Sequence, residues 1–112
     1  MPYVELNTNT TITDKETICR EITEKIVAIE GKKPEKTMVK VNDDQFMYFD
    51  LSTEKCARVK IDLFRPSSFE DKTEYFKEIS ELLTSTLGIP VNRIYLSFAE
   101  YPEWGSNNNY RK

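Results

Sequence analysis

Cys56-Ala57-Arg58-Val59-Lys60-Ile61-Asp62-Leu63-Phe64 alternates apolar Ala57, Val59, Ile61 and Leu63 with polar Arg58, Lys60 and Asp62. A period of two marks a strand with one face in a core and the other in water. Downstream, Ser67 or Ser68 can cap a helix on which Phe76, Ile79, Leu83 and Leu87 share one face. Gly88 stops that helix, and Pro90 precedes a further strand, Arg93-Ile94-Tyr95-Leu96-Ser97-Phe98. This half of the chain reads strand, helix, strand.

The upstream half repeats the grammar. Residues 3–8 form a short strand, and Thr13-Asp14-Lys15-Glu16 supplies a capping box that starts a helix. Ile18, Ile22, Ile26 and Ile29 recur at spacings of four, four and three, so they line one helical face running to Gly31. Pro34 prevents its continuation, and Thr37-Met38-Val39-Lys40-Val41 alternates as a second strand. Gly31 and Gly88 stand 57 positions apart (88 − 31), each followed by a proline and then a strand. The expected architecture is α+β: a duplicated β-α-β unit making one four-stranded sheet, with right-handed crossovers placing both helices on one face. Residues 1–112 are expected to form a single domain. The bare sheet face is expected to be moderately apolar and therefore to favour self-association. Between the repeats, Phe46-Met47-Tyr48-Phe49 reads either as a loop plugging its own core or as an edge strand added to a neighbouring subunit.

Composition removes several function classes. Sixteen Lys plus Arg against 19 Asp plus Glu give a net charge of −3, which is no footprint for nucleic acid or an anionic membrane. No stretch approaches a membrane span, and the first thirty residues lack a basic region followed by an apolar run, so a signal peptide is not expected. With no histidine in the chain, a hydroxyl nucleophile activated by His is excluded. Cys19 and Cys56 fit neither a disulfide framework nor a metal site and read as packing thiols of a reducing compartment. No metal or other cofactor is expected, and the expected location is cytoplasmic.

The chemistry-bearing feature is Met1-Pro2 at the entrance to the first strand. Loss of the initiator Met, favoured before a small residue, would leave a secondary amine fixed at the first position of a strand. An α-amino group titrates near pH 7.7–8.0, and burial or a nearby cation lowers that value because both penalise the charged form. Such an amine is a neutral base or nucleophile at cellular pH. The plainer reading is that Met-Pro is simply how the chain begins.

In order and spacing, a set of segments resembles the macrophage migration inhibitory factor (MIF) family within the tautomerase superfamily. They are Pro2 leading into Asn7-Thr8-Asn9, Gly31-Lys32, Val39-Lys40-Val41, Asp44-Gln45-Phe46-Met47, Ser52-Thr53-Glu54-Lys55-Cys56-Ala57 and Asn92-Arg93-Ile94-Tyr95. The resemblance implies a homotrimer whose sheets wrap into a central barrel, with active sites between subunits. It implies keto-enol tautomerisation of a small aromatic keto acid, phenylpyruvate-like or dopachrome-like, with Pro2 as the base and no cofactor. It also implies cytokine-like behaviour, with a protein receptor and secretion without a signal peptide.

By the same resemblance Lys32 holds the substrate carboxylate and lowers the Pro2 pKa, although Lys33 and Lys36 lie close enough in sequence to compete for the role. A lysine at that position also has a purely structural use, satisfying carbonyls at a helix end. Tyr95, with Ser97 on the same side two residues on, is implied to enter a neighbour's pocket; core packing is the alternative for Tyr95. Phe64 corresponds to a pocket-rim position where the family usually has isoleucine. The chain departs from the family after it, reading Arg65-Pro66-Ser67-Ser68 where a Gly-Gly turn is usual, so positive φ should be costly there. Arg65 is thereby a candidate second anchor for an acidic substrate. Trp104 or Tyr110 is read either as covering a ligand ring or as interface packing. No Cys-x-x-Cys pattern follows Cys56, which disfavours thiol-disulfide exchange. Two rivals stand beside the tautomerase: a cytokine-like or effector binding protein that kept the scaffold, and an enzyme using Pro2 as nucleophile on an unsaturated or halogenated acid.

Overall fold

The computed structural model describes residues 1–112. Its elements are β1 (Pro2–Thr8), α1 (Lys15–Glu24), β2 (Met38–Asn42), β3 (Ala57–Phe64), α2 (Phe69–Leu87), β4 (Ile94–Tyr101), β5 (Trp104–Ser106) and β6 (Asn109–Arg111). Strands β2-β1-β3-β4 form one sheet. β1 and β2 are parallel, β3 and β4 are parallel, and the two pairs join antiparallel through β1 and β3. The duplicated β-α-β unit expected from the sequence is therefore the fold, with an added two-stranded hairpin, β5-β6, near the C-terminus. No helix is long and apolar enough to cross a membrane.

The core lies between the sheet and the helices. Val4, Leu6, Val59, Ile61 and Leu63 project into it from β1 and β3, and Ile18, Ile22, Ile26 and Ile29 meet them from the first half. Tyr75, Ile79, Leu82 and Leu83 complete it from α2. Tyr75 is fully buried and its hydroxyl donates to the Ile22 carbonyl at 3.2 Å, tying the two halves together. Phe76, expected on that face, points outward instead; Tyr75, one position earlier, takes the buried place.

The two helices end differently. Asp14, rather than Thr13, caps α1 by accepting from the Thr17 N–H at 3.1 Å. The α-helical stretch stops at Glu24, and Lys25–Ala28 continue as a tighter 3-10 turn. All four isoleucines stay buried because the narrower turn still presents them inward. Ser68 caps α2 through the Asp71 N–H at 3.1 Å, and Gly88, at φ 71°, closes it. The Gly88 and Ile89 amides turn back to the carbonyls of Thr84 and Leu83, at 3.0 and 3.5 Å.

Two expectations are met only in part. The open sheet face is mixed: Lys40, Glu5, Lys60 and Ser97 form one cross-strand row and Asn42, Asn7, Arg58 and Tyr95 another, while Met38, Tyr3, Asp62 and Ala99 form a third in which Met38 is 68% exposed. The 46–49 segment adds no strand to the sheet of its own chain and does not plug its core: Phe46 is 90% exposed, while Phe49 packs edge-on against Tyr95 at 4.8 Å. Arg93 replaces it as the buried anchor of this region. Only 6% exposed, its guanidinium donates to the carbonyls of Lys55, Phe49 and Glu54, each at 2.9 Å, which neutralises the cost of burying it.

Candidate active site

Pro2 opens β1 opposite Leu63, the penultimate residue of β3. Strand alternation turns Pro2, Val4, Leu6 and Thr8 toward the helices, so Pro2 is buried at the first pair of the ladder. A proline costs this strand nothing at that position, since no earlier ladder bond is asked of its nitrogen.

Gly31, at φ 82°, reverses the chain after the 3-10 turn and delivers Lys32 to the same end of the sheet. The Lys32 ammonium donates to the Phe64 carbonyl at 2.9 Å. One of its three donors is used there and two remain. Burial pulls the Lys32 pKa below the usual lysine range, with Glu100 opposing that shift and Arg65 adding to it. Met1 stands on Pro2, and burial followed by the Lys32 charge pulls its α-amine below the ordinary value. The same surroundings would act on a Pro2 amine, whose nitrogen is a non-basic amide as long as Met1 is attached.

An aromatic wall completes this end. Phe64 is 7% exposed and stacks on Trp104, with ring centres 6.3 Å apart at 27°. Arg65 adopts φ 73° without being glycine, held by its N–H to the Tyr101 carbonyl at 2.8 Å. Its guanidinium lies over the Phe64 ring, 4.7 Å from the centre. Glu100 fixes the rest of this rim, accepting from the Ser67 N–H at 2.7 Å and pairing with Lys72 at 3.1 Å. A cleft of roughly 700 Å³ opens beside Pro2, lined by Met1, Pro2, Tyr3 and Met38, by Lys33 and Lys36, and by Trp104, Ser106 and Arg111 of the hairpin. Arg65 is not among its walls.

Pro2, Lys32, Phe64 and Trp104 thus gather at one end of a single chain. Tyr95 and Ser97 do not join them. Tyr95 pairs with Arg58, five residues along β3 from Leu63, or about 17 Å away. Ser97 pairs with Lys60, and its hydroxyl accepts from Arg58 at 2.8 Å. Both face the open side of the sheet, opposite to Pro2, and Tyr95 is 61% exposed. Sequence reasoning missed Ser106, Arg111 and Glu100. The first two had a readable signal: Asn107-Asn108, both at positive φ, is a two-residue hairpin turn.

The fold and its buried strand-opening proline beside a half-buried lysine define the class, the tautomerase superfamily. The sequence model of the macrophage migration inhibitory factor family matches residues 1–109, and this chain belongs to that family. It is 27% identical over 99 residues to the macrophage migration inhibitory factor of Xenopus laevis, covering 88% of this chain and 86% of the relative. Over 83 residues it is 28% identical to the Xenopus tropicalis protein, covering 74% and 72%. The fold matches the crystal structure of the Entamoeba histolytica MIF-like protein with a TM-score of 0.85, at 21% identity over 97% of each chain. It also matches Leishmania major MIF2, with a TM-score of 0.84 and 21% identity over 98% and 97% of the two chains.

Proposed function

We propose that the protein is a tautomerase that interconverts the keto and enol forms of a small aromatic 2-oxo acid, phenylpyruvate-like or dopachrome-like, after Met1 has been removed. The observation that carries this reading is the seat of Pro2: buried at the head of β1, with the Lys32 ammonium bonded one residue beyond its strand partner. A neutral Pro2 nitrogen accepts the α-proton of the substrate. The C–H electron pair becomes the new carbon–carbon double bond, the carbonyl oxygen takes a proton from solvent, and Pro2 releases its proton to reset. Lys32 holds the carboxylate with its two free donors, so that the base need only be positioned. Phe64 and Trp104 wall the aromatic ring.

Tyr95 and Ser97 are proposed to enter this pocket from a neighbouring copy in a trimer. Support comes from their exposure and from their distance to Pro2 within one chain. The test is turnover of phenylpyruvate by protein whose intact mass shows Met1 absent. Pro2→Gly should keep the fold and assembly and lose about 10²- to 10⁴-fold in kcat, the usual contribution of a positioned base. An unchanged rate would reject the mechanism, and retained Met1 would shift the weight to a receptor-binding protein.

A further inference from the structure

Charge is distributed unevenly around the cleft beside Pro2. The chain carries a net charge of −3, yet Lys33, Lys36 and Arg111 line the cleft and no carboxylate does. The ion pairs of the protein are Lys15–Asp43, Arg20–Glu16 and Lys72–Glu100, so none of the three cations facing the cleft is matched.

Arg111 is the one of the three whose charged group is held by a bond to the hairpin backbone. It lies half-buried on β6, directly across the hairpin from Trp104, the residue stacked on Phe64. One guanidinium nitrogen donates to the Ser106 carbonyl at 3.1 Å, which fixes the plane of the group. Another stands 3.8 Å from the Met1 sulfur, and the Ser106 hydroxyl approaches the same sulfur at 3.0 Å. A thioether is a weak acceptor, a poor match for a guanidinium built to grip a planar anion with two parallel bonds.

Met1 also measures the space. It is joined at one end to the Pro2 nitrogen, and at the other its sulfur touches Arg111 and Ser106, so the methionine spans the distance from Pro2 to Arg111. Removal of Met1 leaves a slot with Pro2 at one end, Arg111 at the other and Tyr3, Met38 and Trp104 along its sides; Lys32, bonded to the Phe64 carbonyl one residue beyond the strand partner of Pro2, lies next to the Pro2 end.

We infer that this slot selects a dianionic substrate, a 2-oxo acid whose far end carries a second carboxylate, with Lys32 on the carboxylate beside the reacting carbon and Arg111 with Ser106 on the second. The inference rests on the tautomerase reading for the role of Lys32 and adds the specificity of the opposite end. Arg111 is a specificity residue that does not touch the reacting carbon.

The test is equilibrium binding, so it does not depend on turnover. Met1-free protein is titrated calorimetrically with cinnamate and with 4-carboxycinnamate, planar non-reacting acids that differ only in the second carboxylate. The dicarboxylate should bind about tenfold more tightly, the effect of one good charge-assisted contact. Arg111→Gln should bring the ratio of the two affinities close to one, and Arg111→Lys should restore part of it. Equal affinities in the unmodified sequence, binding of neither acid, or a ratio that survives Arg111→Gln would each overturn the inference. Loss of phenylpyruvate turnover with the ratio intact would count against Pro2 as base and leave Arg111 standing, whereas turnover without the ratio would do the reverse.

Discussion

The two β-α-β halves diverge where their helices end. In the second half α2 runs 19 residues to Gly88, and Ile89, the next residue, is wholly buried as part of the core. In the first half α1 gives way after ten residues to a 3-10 turn, and the residue after Gly31 is Lys32, half-buried with its amine on the Phe64 carbonyl. Both glycines are left-handed, at φ 82° and 71°. One closes the core with an isoleucine and the other opens a site with a lysine. The duplication supplied two equivalent corners, and the chemistry proposed above belongs only to the one next to Pro2.

Exchanging the two residues is the strongest way to break this contrast. Ile89→Lys places an unpaired ammonium in a dry core and should destabilise the protein by about 3–5 kcal/mol in denaturant unfolding. Lys32→Ile should change stability by only about 1 kcal/mol, since the cation holds a single carbonyl. It should instead lower kcat/KM for phenylpyruvate by roughly 10- to 100-fold, the worth of one or two charge-assisted bonds to the carboxylate. Comparable unfolding by both exchanges would mean that the corners are energetically alike after all.

The glycines sharpen the same contrast. Gly88→Ala meets both the left-handed backbone and the Lys55 amine 3.4 Å from the new methyl, for a loss of about 1–2 kcal/mol. Gly31→Ala meets nothing within 4 Å and should cost about 1 kcal/mol from the backbone alone. Its clearer effect should be on activity, because it governs where Lys32 arrives. Tyr75→Phe removes one buried bond between the halves and should lower stability by about 1 kcal/mol, as Gly31→Ala does, but it should leave turnover unchanged.

Most of the fold was legible because β1 to β4 and the isoleucine face of the first helix carry strict periodicities. The end of α1 was not, since Ile26 and Ile29 at these spacings suit an α-helix and a 3-10 turn equally. Phe76 misled for a related reason: it and Tyr75 are adjacent aromatics, and only the sheet behind them decides which one turns in. Arg93 follows no pattern, because its burial depends on carbonyls of a loop some forty residues away in sequence. At the candidate site, only Pro2 followed from the residues themselves, as the head of a strand; Lys32 and Phe64 were implied by the family resemblance, Trp104 was left between two roles, and the structure gathers all four at one end of the sheet. The direction of a long side chain such as Arg111 or Arg65 depends on tertiary contacts that no local pattern encodes.

The account depends on a neutral imino terminus beside Lys32, and its most direct test is titration of the Pro2 nitrogen by 15N NMR in Met1-free protein. Burial and the Lys32 charge lower the pKa of the Met1 amine, and the same two causes should act on the Pro2 amine once Met1 is gone. The midpoint should therefore lie below the ordinary range of about 7.7–8.0, and it should rise in Lys32→Gln, where one of the two depressing causes is gone. A midpoint at or above that range, or one indifferent to Lys32, would contradict the assignment of Pro2 as the base.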